Sequence, residues 1–384
     1  MYQPKKDDAF YYSLMFLRYL HYYPSIENEK NLKCYHFISI IIRLISCFIW
    51  VECAIHCTMA LKENLPVDIS EDVVGLTGVG NSMLLCIFFE INVQGWSKLF
   101  LDITDTTKFG TPPKMTAVIQ KANRYALIYF IYCNVGVMVY GLVSIFDTGR
   151  CMRFNEEKGL HEICGTVTPL WWPSKDIDPV TKIIIICYQV FSAVFYIPPS
   201  AILTFVPWEA AEVIIAKIDH LKDLFKHAFN TKDPVLQRKR LRFCIQYHQD
   251  ILRITGELNN AAKRVCGQLS FVAAVILSCI GTQMLKEYSI GAVIHLMGYM
   301  VAVFLVCQTG QKISDETYDI QDSVYESAWF EVNPQLAKDS QLILLRSQKP
   351  ISMEAVPFGI FNYNLLIIIL KTSYSYLTLI NKTA

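Results

Sequence analysis

Charge is scarce in this 384-residue chain: Asp, Glu, Lys and Arg together make up 18% of it, against roughly 25% in soluble globular proteins. A water-soluble fold of this size needs more charge to cover its surface. The 35 basic residues face 34 acidic ones, a net charge of +1, so the basic footprint of a nucleic-acid-binding protein is missing. Motifs of common chemistry are missing as well. There is no CxxC, P-loop, GxSxG or GxGxxG, and no HxxxH box of the membrane di-iron kind. The eight histidines form no metal-ligating cluster, and His220 and His227, seven apart, lack the accompanying carboxylates. No catalytic residue, metal or cofactor is therefore expected. Asn333-Pro334 does not open an NPxxY and no DRY follows the third apolar segment, so the motifs of G-protein-coupled receptors are absent too.

Apolar residues are what the chain has in excess, at 53% of the sequence, with 22 Phe, 21 Tyr and 6 Trp that exclude a disordered chain. They gather in seven segments of the length a membrane helix needs, about 20 residues: roughly 34–61, 69–94, 122–146, 180–207, 265–286, 290–311 and 358–380. The second is the weakest, being interrupted by Glu71, Asp72 and three glycines. The expectation is an all-α membrane protein, a seven-transmembrane-helix bundle embedded in a lipid bilayer. Charge begins at MYQPKKDD and the first apolar run is too long for a signal-peptide core, so that run is expected as a retained span. Placing the N-terminus in the cytoplasm puts most basic residues inside, although basic density is about equal on both sides. Seven spans then put the C-terminus outside.

Between spans four and five, 208–264 is the most charged part of the chain. Ile214, Ile218, Leu221 and Phe225 recur there at helical spacing, and Leu241, Ile245, Ile251 and Leu252 continue among charges. These stretches are expected as amphipathic inner extensions of the spans. For the cluster Arg238-Lys239-Arg240 with Arg242, contact with anionic lipid headgroups and a plainly solvated helix end both stand. Most of the 13 cysteines lie in spans as small buried residues. Cys151 and Cys164 differ: they sit 13 apart in the polar loop after span three and are candidates for a disulfide if that loop is extracellular.

Ionisable residues inside spans are costly and mark helix contacts or function. Arg43 and Glu52 fall in span one, Glu90 in span two, His295 in span six and Lys371 in span seven. After LLIIIL the last span turns polar, Lys371-Thr372-Ser373-Tyr374-Ser375-Tyr376, before Leu377-Thr378-Leu379-Ile380. A helix polar around its circumference is not wholly lipid-facing. It lines an ion pathway or packs centrally in an oligomer.

The C-terminal stretch from about 323 to 380 resembles the signature region of insect odorant receptors. The likeness is carried by Tyr325 to Trp329 (YESAW), by Leu345 to Pro350 (LRSQKP) with Pro357-Phe358, and by Ile369 to Leu377 (ILKTSYSYL). The wider plan agrees in chain length, a long second outer loop, a large amphipathic inner segment and a very short tail. The resemblance implies a subunit of an odorant-gated, poorly selective cation channel in a sensory-neuron dendrite. Such a subunit assembles with the odorant receptor co-receptor (Orco) into a heteromeric tetramer. The co-receptor's enlarged second inner loop is absent, so this chain resembles a tuning subunit.

The resemblance also divides the chain into 1–311 (spans one to six with a ligand-binding outer bundle), a cytoplasmic anchor segment 312–357 bearing Tyr325 and Trp329, and pore helix and tail 358–384. It implies a gate at Leu379, flanked by Tyr376 and Ile380, with Lys382 and Thr383 at the pore mouth, where a lysine disfavours a homomeric cation channel. Odorant contacts are expected from Met138, Tyr140 and Leu142 in span three and from Tyr188, Phe191 and Phe195 in span four. Ile276, Ile280 and Gln283 of span five and His295 and Met297 of span six complete the set. Walls of this kind suit a small neutral volatile. Pro198-Pro199 is expected to kink span four below that level. The alternatives are a gustatory-receptor-type channel, whose TYxxxLxQF ending this tail lacks, and a transporter or membrane enzyme, which would need intramembrane carboxylates, metal ligands or repeats.

Overall fold

A computed structural model describes residues 1–24, 29–63, 70–146, 148–159, 163–173, 177–286, 290–356 and 359–383. Among them the chain forms α1 (Tyr11–Tyr19), α2 (Glu29–Lys62), α3 (Ser70–Ile91), α4 (Val93–Thr104), α5 (Met115–Phe146), α6 (Thr148–Lys158) and α7 (Pro179–Lys226). Then follow α8 (Pro234–Cys266), α9 (Leu269–Lys286), α10 (Ile290–Tyr318), α11 (Ile320–Tyr325), α12 (Pro334–Ser347) and α13 (Tyr363–Thr383). Seven stretches are long and apolar enough to cross a membrane: α2, α3, α5, α7, α8 running into α9, α10 running into α11, and α13. All seven expected spans recur, including the second. Among the described residues the only β feature is an isolated bridge, Glu354 to Ile360.

Three helix starts follow one local rule. Asp178, Asp233 and Asn333 each precede a proline, and each caps its helix by accepting from backbone N–H groups two or three residues on. Proline at the first helical position has no N–H to leave orphaned. Within α7, by contrast, Pro198, Pro199 and Pro207 interrupt the ladder without ending the 48-residue helix. Each missing N–H frees the carbonyl four residues earlier. The Tyr22 hydroxyl donates to the carbonyl of Phe195 at 2.7 Å, the group Pro199 leaves free. The Cys266 thiol approaches the carbonyl of Leu203, the group freed by Pro207. Span four is therefore continuous through Pro198-Pro199, held by partners from outside the helix.

The N-terminal segment packs at one end of the bundle, here called basal, together with α4, α8, α11 and α12. Tyr2, Phe10, Leu14 and Leu17 bury against Trp96 and Phe100 there. The stripe Ile214, Ile218, Leu221 and Phe225 is sealed as its spacing predicted, each residue at most 1% exposed. Glu209 of α7, fully buried, accepts from Phe10 N at 2.9 Å and Ser13 Oγ at 2.7 Å, so it serves the start of α1 from across the chain. At mid-height the outward faces are apolar: Ile40, Leu44 and Phe48 of α2 and Ile183 and Ile184 of α7 are all exposed. Lipid is the medium such a surface fits. Gly310 marks a close crossing, where a Cβ would overlap the Phe361 carbonyl in the segment leading into α13.

Candidate functional site

Four of the charges that interrupt the spans, Arg43, Glu52, Asp72 and Glu90, find side-chain partners within the bundle. Arg43 of α2 donates to Glu90 of α3 at 2.8 Å and to the His21 carbonyl at 2.7 Å, and its guanidinium lies 3.4 Å from the Tyr22 ring centre. Asp72, fully buried, meets Nδ1 of His56 at 2.8 Å. Glu52 accepts from Gln189 of α7 at 3.1 Å. These contacts pin α2, α3 and α7 together around a space in the half of the bundle away from the N-terminal segment, the apical half.

That space is a cavity of about 190 Å³ between α3, α5, α7 and α10. Its α3 wall runs through Gly75, Gly78, Asn81 and Ser82, and α5 contributes Tyr129, Tyr132, Gly136 and Tyr140. From α7 come Ser192, Tyr196, Ser200 and Thr204, and from α10 His295, Gly298 and Tyr299. Val167, Thr168 and Pro169 roof it. The roof is held by Gln189, which is fully buried and whose Oε1 accepts from Val167 N (2.8 Å) and Thr168 N (3.3 Å) while its Nε2 donates to Glu52 and to the Thr168 carbonyl. The same loop is tied by a disulfide between Cys151 and Cys164, with Cα atoms 5.6 Å apart.

Most hydroxyls on the wall are already committed. Tyr132 donates to the Ile294 carbonyl at 2.8 Å, Tyr196 to the Arg43 carbonyl at 3.2 Å and Ser200 to Ser82 Oγ at 3.1 Å. What remains is a mainly apolar and aromatic enclosure with few polar points, which is the make-up of a small-molecule site. An engineered cavity of about 150 Å³ is enough to hold benzene, so this one accepts a molecule of one ring or similar bulk.

Of the residues expected to contact ligand, Tyr140 and His295 line the cavity, and their rings lie 6.3 Å apart. The others do not line this cavity. Met138, Leu142, Phe191 and Met297 are exposed on outward helix faces. Ile276 and Ile280 are fully buried in the contact of α9 with its neighbours. Tyr188 turns to donate to the Ile45 carbonyl at 3.1 Å. Phe195 packs against the core and Phe191, while half-buried Gln283 lies off the cavity wall. The common reason is rotation about the helix axis: residues at the right depth but about 100° or 200° away face lipid or another helix. Sequence reading missed the α3 wall and Tyr129, Tyr132, Tyr196 and Tyr299. The signal for the first was present in the small and polar residues of a span, Gly75, Gly78, Asn81 and Ser82, which face protein more readily than lipid.

The last helix shows two faces. Leu365, Ile369 and Ser373 are buried, and Leu377 meets Gly281 of α9. Lys371, Tyr374, Ser375 and Leu379 form an exposed stripe on the other side, beside Tyr376 at 43% exposure. Ile380 packs against the α9 cluster. The side chains of Lys382 and Thr383 lie outside the described residues, as do Pro357 and Phe358. In the basal segment Tyr325 is 70% exposed, whereas Trp329 is half-buried against the core.

Residues 87–374 match the family model of the 7tm odorant receptor. The chain belongs to this family. Odorant receptor 47b of Drosophila melanogaster is 20% identical over 98% of this chain and 91% of its own length. Odorant receptor 67a of the same fly is 28% identical over a stretch covering 30% of each chain. Among solved structures, the insect olfactory receptor OR5 from Machilis hrabei superposes with a TM-score of 0.79 at 14% identity, covering 97% of both chains. The complex of that receptor with eugenol gives 0.76 over the same coverage. The family and the seven apolar helices make this a multi-pass membrane protein.

Proposed function

We propose that this chain is the odorant-binding tuning subunit of a ligand-gated, non-selective cation channel, assembled with the odorant receptor co-receptor in a heteromeric tetramer and not an enzyme. The observation that carries the reading is the roofed apical cavity, enclosed by tyrosines and glycines of four helices. The eugenol complex of the similar OR5 supports a small neutral ligand here. In this reading the basal end is cytoplasmic, with exposed Tyr325 in the subunit anchor, and the apical loop is extracellular. The exposed stripe of α13 faces the pore, Leu379 forms the gate, and Lys382 and Thr383 stand at the pore mouth. The ligand opens the gate to the extent that it binds the open state more tightly than the closed one.

Cells expressing this chain alone, the co-receptor alone and the pair test the assignment. The expected result is an odorant-evoked cation current from the pair that this chain alone does not give. A response that runs only through an added G protein, with none in excised patches, would contradict it.

A further inference from the structure

Nearly every hydrogen-bonding group on the cavity wall is engaged or sealed. Besides the pairs already described, the Tyr299 hydroxyl is hydrogen-bonded to the Asn81 side chain and that of Tyr129 to Thr204, while Tyr140 donates to Glu71 at 3.5 Å. The hydroxyl oxygens of Thr168 and Ser192 are closed off from the open space. His295 is the exception. It lines the cavity, neither of its ring nitrogens has a hydrogen-bond partner among the described residues, and neither is sealed. It packs against two aromatic rings, Tyr140 edge-on at 6.3 Å and Tyr299 at 5.3 Å. A neutral imidazole offers one N–H donor and one acceptor nitrogen, whichever tautomer it takes. Polar groups away from bulk water are ordinarily paired.

Position gives this group a direction. His295 stands near the start of α10, at the roof end of the cavity beside Tyr140. Further down α10 the lining continues with Gly298, where a Cβ would meet only Tyr132, at 3.8 Å, and with Ala302. Ala302 lies about 10 Å from His295 along the helix axis. We propose that His295 is the polar anchor of the cavity: it hydrogen-bonds one oxygen of a neutral ligand, hydroxyl or carbonyl, at the roof end, and the hydrocarbon body lies below it along Gly298 and Ala302. The proposal rests on the cavity being the odorant site and narrows its ligands to oxygenated molecules. The N–H serves a carbonyl oxygen and the bare nitrogen serves a hydroxyl proton, so both classes are accepted. A hydrocarbon of the same shape leaves both nitrogens unpaired.

Three probes of near-equal shape test this: cyclohexanol (donor and acceptor), cyclohexanone (acceptor only) and methylcyclohexane (neither). Binding is read as ligand-induced thermal stabilisation of the full-length chain in lipid nanodiscs. Each oxygenated probe's affinity is divided by that of methylcyclohexane, so that a general change of fit cancels. His295→Phe keeps a ring and removes both nitrogens; it is expected to lower both ratios about tenfold, the worth of one buried hydrogen bond. Where that variant does not bind methylcyclohexane, His295→Leu is read in the same way. Tyr132→Phe removes a hydroxyl already given to the Ile294 carbonyl and is expected to leave both ratios as they are. Failure of either oxygenated probe to bind the wild type, a ratio for either that survives the loss of His295, or ratios that fall instead in Tyr132→Phe would each overturn the proposal. If wild-type binding also proves insensitive to the cavity-filling change Gly298→Leu, the odorant-site reading falls with it. If Gly298→Leu removes binding, only the role of His295 falls.

Discussion

Single side chains carry two separable tasks, holding the helices and holding the roof. Arg43 and Glu90 are 15% and 31% exposed, so removing one leaves the other charged and poorly solvated. Arg43→Met is expected to cost about 3 kcal/mol, at the low end for a buried pair because Glu90 keeps some solvent. The double variant Arg43→Met with Glu90→Leu should recover part of that loss. A double-mutant cycle on the thermal stability of the purified chain measures it; a double variant no better than Arg43→Met would place the cost elsewhere. Gln189 belongs to the roof. Its replacement by Leu removes two bonds to loop N–H groups and one to the Thr168 carbonyl. The expected outcome is a loss of ligand potency of tenfold or more, with surface expression within about twofold of wild type, read from concentration–response curves and surface labelling. Unchanged potency would mean that the loop does not cover the site.

At the level of whole helices, the apolar periodicity of the sequence foretold the seven spans and the buried face of the basal extension, because both follow from hydrophobicity alone. It was less informative about lengths. α5 begins at Met115, not near 122, and α7 runs unbroken for 48 residues through three prolines. What keeps α7 whole is a tyrosine and a cysteine distant in sequence, at positions no local pattern reveals. Rotation was the other gap. Met138 and Tyr140 share a depth, but only Tyr140 reaches the cavity. Two of the three glycines that made the second span look weak, Gly75 and Gly78, lie on the cavity's α3 wall. In α13 the polar string resolves into a packed face and an exposed face, with Leu379 58% exposed on the latter. Leu379→Ala in the assembled channel is expected to raise basal leak or alter ion permeation, measured in the absence of odorant; currents identical to wild type would discredit the gate assignment.

Over the whole molecule, polarity is sorted by height. Charged residues pair at the basal end, as in Lys226 with Glu326 and Arg253 with Asp102, while the mid-section presents apolar side chains outward and a nearly neutral cavity inward. The low charge content is therefore a consequence of where the chain meets lipid. One half of the bundle holds a cavity and the last helix offers an exposed stripe, so the central claim of the proposal is that ligand occupancy of the first controls ion flow along the second. The most direct measurement is the odorant concentration–response of current in excised patches from cells co-expressing this chain and the odorant receptor co-receptor, comparing wild type with Gly298→Leu. Gly298 lines the cavity, and a Cβ there meets only Tyr132, at 3.8 Å. The account predicts that the odorant-evoked current is lost or shifted by more than tenfold in concentration, with basal current and surface assembly retained. An unchanged concentration–response would contradict it.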